Sequence, residues 1–145
     1  MKNELLRHSL STINYRFDIA VNGLDNGFTG FLAGNDVKSP DELLAHMIYL
    51  TKCKSINIIE DKSLKEPTLN NTFLEKIDIF KSSIVALDKI LVINDIDINT
   101  KKTLVQGPIS DVFTHIGQLL TLRRLYGYPA NSGNYATAKL KTGLI

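Results

Sequence analysis

A single cysteine, Cys53, stands in the 145 residues. No disulfide can therefore close within the chain, and a reducing compartment is expected. Long apolar runs are missing as well: none approaches the ~20 residues that a membrane-crossing helix needs. The opening MKNELLRHSL places Glu4 where a secretory signal would have its apolar centre. The expectation is a soluble, cytoplasmic protein with no membrane partner. Neither sign of charge dominates, since 17 Lys and Arg oppose 15 Asp and Glu for a net +2. No basic block or arginine stripe forms, and the adjacent Arg123 and Arg124 are too few to make one, so no nucleic-acid partner is expected. Also absent are a P-loop, G-x-G-x-x-G, Cys-x-x-Cys, His-Glu-x-x-His and a Ser-His-Asp order. Those absences remove nucleotide-binding, dithiol-redox and zinc-protease classes.

What remains is an ordinary globular composition, 43% hydrophobic and 22% charged, long enough for one domain spanning residues 1–145 with a substantial core. Its periodicity is helical. Leu6, Leu10, Ile13, Phe17, Ala20 and Leu24 step by 4, 3, 4, 3, 4 and make one stripe. Gly23, Gly27, Gly30 and Gly34 then thicken into a loop, with Phe28, Phe31 and Leu32 as expected anchors. A second helix opens at Ser39-Pro40, where Ser39 and Glu42 form a capping box and Pro40 takes the first helical position. Leu43, Met47 and Leu50 supply its buried side, with His46 at the edge of that stripe.

Residues 55–70 are polar, contain Pro67, and read as a connection. A third helix follows Asn70 or Asn71, with the stripe Phe73, Ile77, Phe80, Ile84, Leu87 and Leu91. LVINDIDINT is β-branched but has no partner run, so it reads as helix end plus loop. A fourth helix starts near Gly107-Pro108 and stops at Gly127 with Pro129 beyond, a helix-stop pairing. The tail from residue 131 has room for one short helical turn. Four amphipathic helices and no credible strands predict an all-α four-helix bundle with a long connection between helices.

The chemistry concentrates in residues 106–129, QGPISDVFTHIGQLLTLRRLYGYP. Asp111 and His115 are four apart in one helix, so their side chains stack on one face. A carboxylate and an imidazole so placed can grip a divalent cation, and a third ligand from another helix leaves an open site. His46 is the candidate third ligand. A plainer account exists for each: His46 as a hydrogen-bonded core residue, and Asp111 as an acidic group favoured in a first helical turn. His115 lies too far into the helix for capping to explain it.

INYRF at 13–17, SPDELLAHM at 39–47 and above all THIGQLLTLRRLYGYP at 114–129 resemble the DinB-like (DinB/YfiT) superfamily of four-helix metal-binding proteins, over nearly the whole chain. Members carry one histidine on the second helix and a His-x-x-x-His pair on the fourth segment, the last before x-Gly-Gln. His46 matches the first position, and His115, followed by Ile116-Gly117-Gln118, matches the last. Asp111 stands where the family has the first histidine of the pair, which makes the site harder and more anionic. The resemblance implies a DinB/YfiT-like bundle with a divalent metal ion on His46, Asp111 and His115. Two imidazoles favour Zn or Ni, and the carboxylate admits Mn or Fe. It implies a metal-dependent hydrolase or a transferase using a low-molecular-weight thiol, on a small-molecule substrate. The alternative is a metal-free scaffold or small-ligand-binding homodimer with a degraded site.

Other residues have readings of both kinds. Gly117 in mid-helix costs about 1 kcal/mol against Ala, which suggests close approach of another helix. Gln118 suits a hydrogen bond to a ligating histidine. His8 reads as a surface residue with a route to the same cavity. Of Arg123 and Arg124, one suits pairing with an acidic residue and the other an anionic substrate. Cys53 reads as a small buried hydrophobe.

Overall fold

The computed structural model describes residues 1–131 and 133–145. Helices α1 (Glu4–Val21), α2 (Pro40–Tyr49), α3 (Ser55–Glu60), α4 (Phe73–Ile93), α5 (Ile98–Leu104) and α6 (Ser110–Tyr126) follow one another, with no strand among the described residues. They form four rods, because α2 runs into α3 through a wide turn at Leu50–Lys54, and α5 into α6 through another at Val105–Ile109. The architecture is an all-α bundle.

Contacts fix the directions. Arg7 of α1 and Asn3 just before it bond to Asp88 and to the carbonyl of Leu91 near the end of α4, whereas Asp18 pairs with Lys81, so α1 and α4 are antiparallel. Asp41 and Thr51 meet Lys76 and Ser83, so the α2–α3 rod runs parallel to α4. That parallel pairing needs a crossover, supplied by residues 61–72. The two wide turns lie against each other, which sets the α2–α3 rod antiparallel to the α5–α6 rod.

Local chemistry starts and stops these rods as expected. Ser39 and Glu42 form a reciprocal capping box with Pro40 next to it, and Thr72 and Glu75 form a second one at α4. Each such cap stabilises a helix start by about 1 kcal/mol. Gly127 ends α6 in the left-handed region, at φ 102°. The α1 stripe from Leu6 to Leu24 is buried throughout, as is the α4 stripe except for half-buried Ile77. Phe17 packs on Phe80 with ring centres 4.4 Å apart, and Phe28 meets Phe73 and Tyr126. Burial of each such ring is worth roughly 1.5–3 kcal/mol.

Four expectations need correction. The connection begins at residue 61, not 55, because the second rod continues through α3. The fourth rod begins at Ile98, where the Asp97 side chain caps α5 by accepting from the Thr100 amide. Leu32 is not an anchor; it is exposed, while Phe28 is buried. The tail holds turns at residues 135–137 and no helix among its described residues; Ser132 lies outside them. The rods were misjudged where the helix widens. A wide turn advances the register by one residue, which breaks the 3–4 stripe that marks a helix. Both wide turns have the same support: a serine hydroxyl, Ser55 or Ser110, donates to the carbonyl five residues back, Leu50 or Val105. At the second, Gly107 adopts φ −104° and ψ −105°, a backbone kink before Pro108.

Candidate functional site: a histidine pair between α2 and α6

The capping box and Pro40 set where α2 starts, and Leu43, Leu44, Met47 and Ile48 turn its apolar side inward. His46 is left half-buried at the border of that side. On α6, Val112, Ile116 and Leu119 are buried, which leaves His115 half-buried beside them. Antiparallel packing then brings the two imidazoles together. Their ring centres are 5.1 Å apart with planes at 81°, edge to face. The Tyr49 ring, about one turn further along α2, lies 6.0 Å from that of His46.

His115 is oriented by a neighbour. Its Nδ1 lies 2.7 Å from Oε1 of Gln118, an oxygen that only accepts. With the amide in that orientation the proton sits on Nδ1 and the lone pair on Nε2. His46 titrates below its ordinary value, chiefly because burial disfavours the charged ring, then because His115 and Lys38 repel it; Glu66 and Asp111 act in the opposite sense. The balance favours a neutral ring with an open lone pair.

Of the three residues expected to meet, His46 and His115 do. Asp111, one turn before His115 and half-buried, acts on His46 through its field. Among the described residues no group of three or more His, Cys, Asp and Glu side chains is gathered closely enough to hold an ion. The pair itself has suitable dimensions. Two imidazoles on one tetrahedral ion, at metal–nitrogen distances of about 2.0–2.1 Å, have ring centres roughly 5 Å apart. A ligating histidine also characteristically donates its other N–H to an oxygen, the role Gln118 fills. The donor chemistry therefore suits a divalent ion, with two imidazoles in place and carboxylates nearby.

Asp111 does lie in the first turn of α6, where the helix dipole favours an acidic group. The kink at Gly107 separates that turn from α5, and Ile109 before it provides no side-chain cap. The close approach expected at Gly117 is absent: a Cβ there would meet nothing within 4 Å. Gly117 instead floors an open groove of about 340 Å³ beside Gln118, walled by Ala33, Val37 and Leu125.

Glu66 is the residue that sequence reasoning missed. It sits in the polar crossover, where nothing in the local pattern distinguishes it. The crossover is pinned near it: Asn57 bonds both the amide and the carbonyl of Leu64, and the Cys53 thiol donates to the Lys65 carbonyl at 3.5 Å. Cys53 itself is buried, and burial pushes its thiol pKa up, so it packs rather than reacts. His8 is away from the pair, with Nδ1 2.9 Å from the Thr142 hydroxyl. Among the described residues Arg123 pairs with no carboxylate; it donates to the carbonyls of Ile19, Ala20 and Tyr128 and ties α6 to α1, while Arg124 is exposed. No helix among the described residues is long and apolar enough to cross a membrane. No family model, curated protein or solved structure matches the chain.

Proposed function

We propose that the α2–α6 junction is a divalent-metal centre of the DinB-like kind, in which His46 and His115 are the imidazole ligands and Asp111 the anionic one. The activity that follows is that of a metal-dependent hydrolase or a thiol-dependent transferase acting on a small molecule. The observation that carries this reading is the edge-to-face histidine pair with His115 Nδ1 already committed to Gln118. Zn or Ni suits the imidazoles, and the carboxylate admits Mn or Fe(II). A divalent ion there would supply Lewis acidity and lower the pKa of water or thiol reaching it. The chain's own part is orientation and charge. Gln118 holds one ring, burial keeps the other neutral, and Asp111 and Glu66 give the locality negative charge that favours a cation.

Elemental analysis and thermal melts of protein purified without a histidine tag test the reading. One equivalent of metal is expected, with a rise in Tm on adding Zn or Ni that disappears in both His46→Ala and His115→Ala. Absence of bound metal together with a Tm indifferent to both ions would sink it.

A second reading is a metal-free scaffold that binds a small ligand or a second copy of itself. It is favoured by the lack, among the described residues, of three donor side chains close enough to hold an ion, and by the Gly117 groove, whose rim carries exposed Val37 and Leu125. Metal-independent dimerisation in sedimentation, abolished by Leu125→Asp, would select it.

A further inference from the structure

At the end of the bundle away from the Gly117 groove, the first turn of α1 and the α5 rod diverge around an open groove of about 690 Å³. Small-molecule sites span about 300–1,000 Å³, are mostly apolar, and add a few placed polar groups. This groove has that make-up. Leu5, Leu6, Ile98 and Val105 give it an apolar lining, and Lys101 and Lys102 of α5 also line it. Leu5 is 84% exposed, Ile98 62% and Val105 48%. Three large aliphatic side chains left so open around one concavity have no role in the core.

Both walls are fixed in advance. Asn3, itself buried, donates through Nδ2 to the carbonyls of Leu91 and Asn94 at 2.7 and 2.6 Å, which ties the start of α1 to the end of α4. The opposite wall is held by the Asp97 cap on α5 and by buried Leu104. A preformed groove loses little conformational freedom on binding.

The charges select the occupant. Lys101 and Lys102 form no ion pair among the described residues, whereas Lys62, Lys76 and Lys81 each have a carboxylate partner. Glu4 is the acidic residue of the lining and leaves the groove net positive. Two lysines without an ion-pair partner among the described residues, lining an aliphatic trough, match an anionic head on an apolar chain. The geometry points to a binding site for a single-chain aliphatic carboxylate, with its carboxylate on Lys101 and Lys102 and its chain along Leu5, Ile98 and Val105. This site is separate from the histidine pair and does not depend on metal.

The full chain titrated with decanoate below its micelle concentration, followed by calorimetry and by NMR shifts of α1 and α5, is the direct test. Saturable one-to-one binding is expected, while a decyl-chain quaternary ammonium ion of equal length does not bind. Charge-assisted contacts of this kind make the Lys101→Glu/Lys102→Glu double variant about tenfold weaker or worse. Leu5→Asp, at an exposed position with little effect on folding, weakens binding comparably, and circular dichroism verifies both folds. Equal affinity for the cationic amphiphile, or decanoate binding untouched by the lysine reversal, overturns the proposal. So does partition onto anionic vesicles without binding of monomeric decanoate, or a self-association that Leu5→Asp abolishes and decanoate does not compete with.

Discussion

Two seams of this bundle carry polar groups across a helix interface, and they treat them oppositely. On the α1–α4 seam Asp88 is fully enclosed and both of its oxygens are hydrogen-bonded. Arg7 grips both of its oxygens at 2.7 and 3.0 Å, and the Leu144 amide donates to one of them at 2.8 Å. Gly143 and Thr142 fasten the same tail to Ser11 and His8. On the α2–α6 seam the two imidazoles are half-buried, one nitrogen is committed to Gln118, and the carboxylates of Glu66 and Asp111 act on His46 without an ion-pair partner among the described residues. A buried ion pair with all partners present is closed to chemistry and strongly penalised when half of it is removed. Lone pairs left open in a half-buried setting stay free to bind something. The first seam holds the bundle; the second has the unspent valence of a site.

Removal of one partner from the closed seam has the largest expected effect. Asp88→Ala leaves the Arg7 guanidinium buried without its anion and should cost about 3–5 kcal/mol in urea unfolding, a large part of the roughly 5–15 kcal/mol typical of a domain. A loss below 1 kcal/mol would erase the contrast between the seams. Acid probes the same pair by degrees. Burial alone would raise the Asp88 pKa, but the Arg7 guanidinium and the Leu144 and Ile145 amides outweigh it and hold the carboxyl below its ordinary value. The stability this group supplies is therefore complete above about pH 4 and is lost as pH falls through the lowered native pKa. Tm measured against pH should fall more steeply on the acid side in the wild type than in Asp88→Asn; equal slopes would remove Asp88 from the account.

The open seam responds differently. Gln118→Leu removes the acceptor that orients His115, and loss of such a partner characteristically weakens metal affinity 10–100-fold. Because Gln118 is exposed, its urea midpoint should barely move. A Zn or Ni titration with the same midpoint in both proteins would show that the His115–Gln118 bond has no such role. The smallest effect is a gain. Gly117→Ala places a methyl where nothing lies within 4 Å and should stabilise α6 by roughly 1 kcal/mol through helix propensity. A destabilised variant would mean that the outer face of α6 is covered.

Legibility followed the range of the interactions. The rods announced themselves through stripes and caps: Ser39-Pro40 opened α2 where its chemistry said it would, and Gly127 closed α6. α5 went unseen because INTKKTL has few apolar residues to set a period and is entered through an Asp97 cap inside a β-branched run. At the site, His46 was legible from its place at the edge of the α2 stripe and His115 from its four-residue spacing to Asp111. Glu66 and Lys38 were not, since they reach His46 from a loop and a crossover whose paths depend on distant anchors such as Asn57 and Cys53. Gly117 was misread because a helical glycine gives the same sequence signal whether a neighbour crowds it or solvent lies over it.

The amino-acid order alone determined the helical class, the inward stripes and the caps, because these depend on side chains within about one helical turn. It also put Asp111 and His115 on one face. Tertiary structure decided that the second rod runs parallel to α4 and antiparallel to α6, that two wide turns meet, and that Asp88 closes on Arg7 while His46 faces His115. Those outcomes depend on residues tens of positions apart, whose proximity arises only when four rods bury their apolar sides together. The local chain has no means of encoding which polar groups that burial will bring face to face.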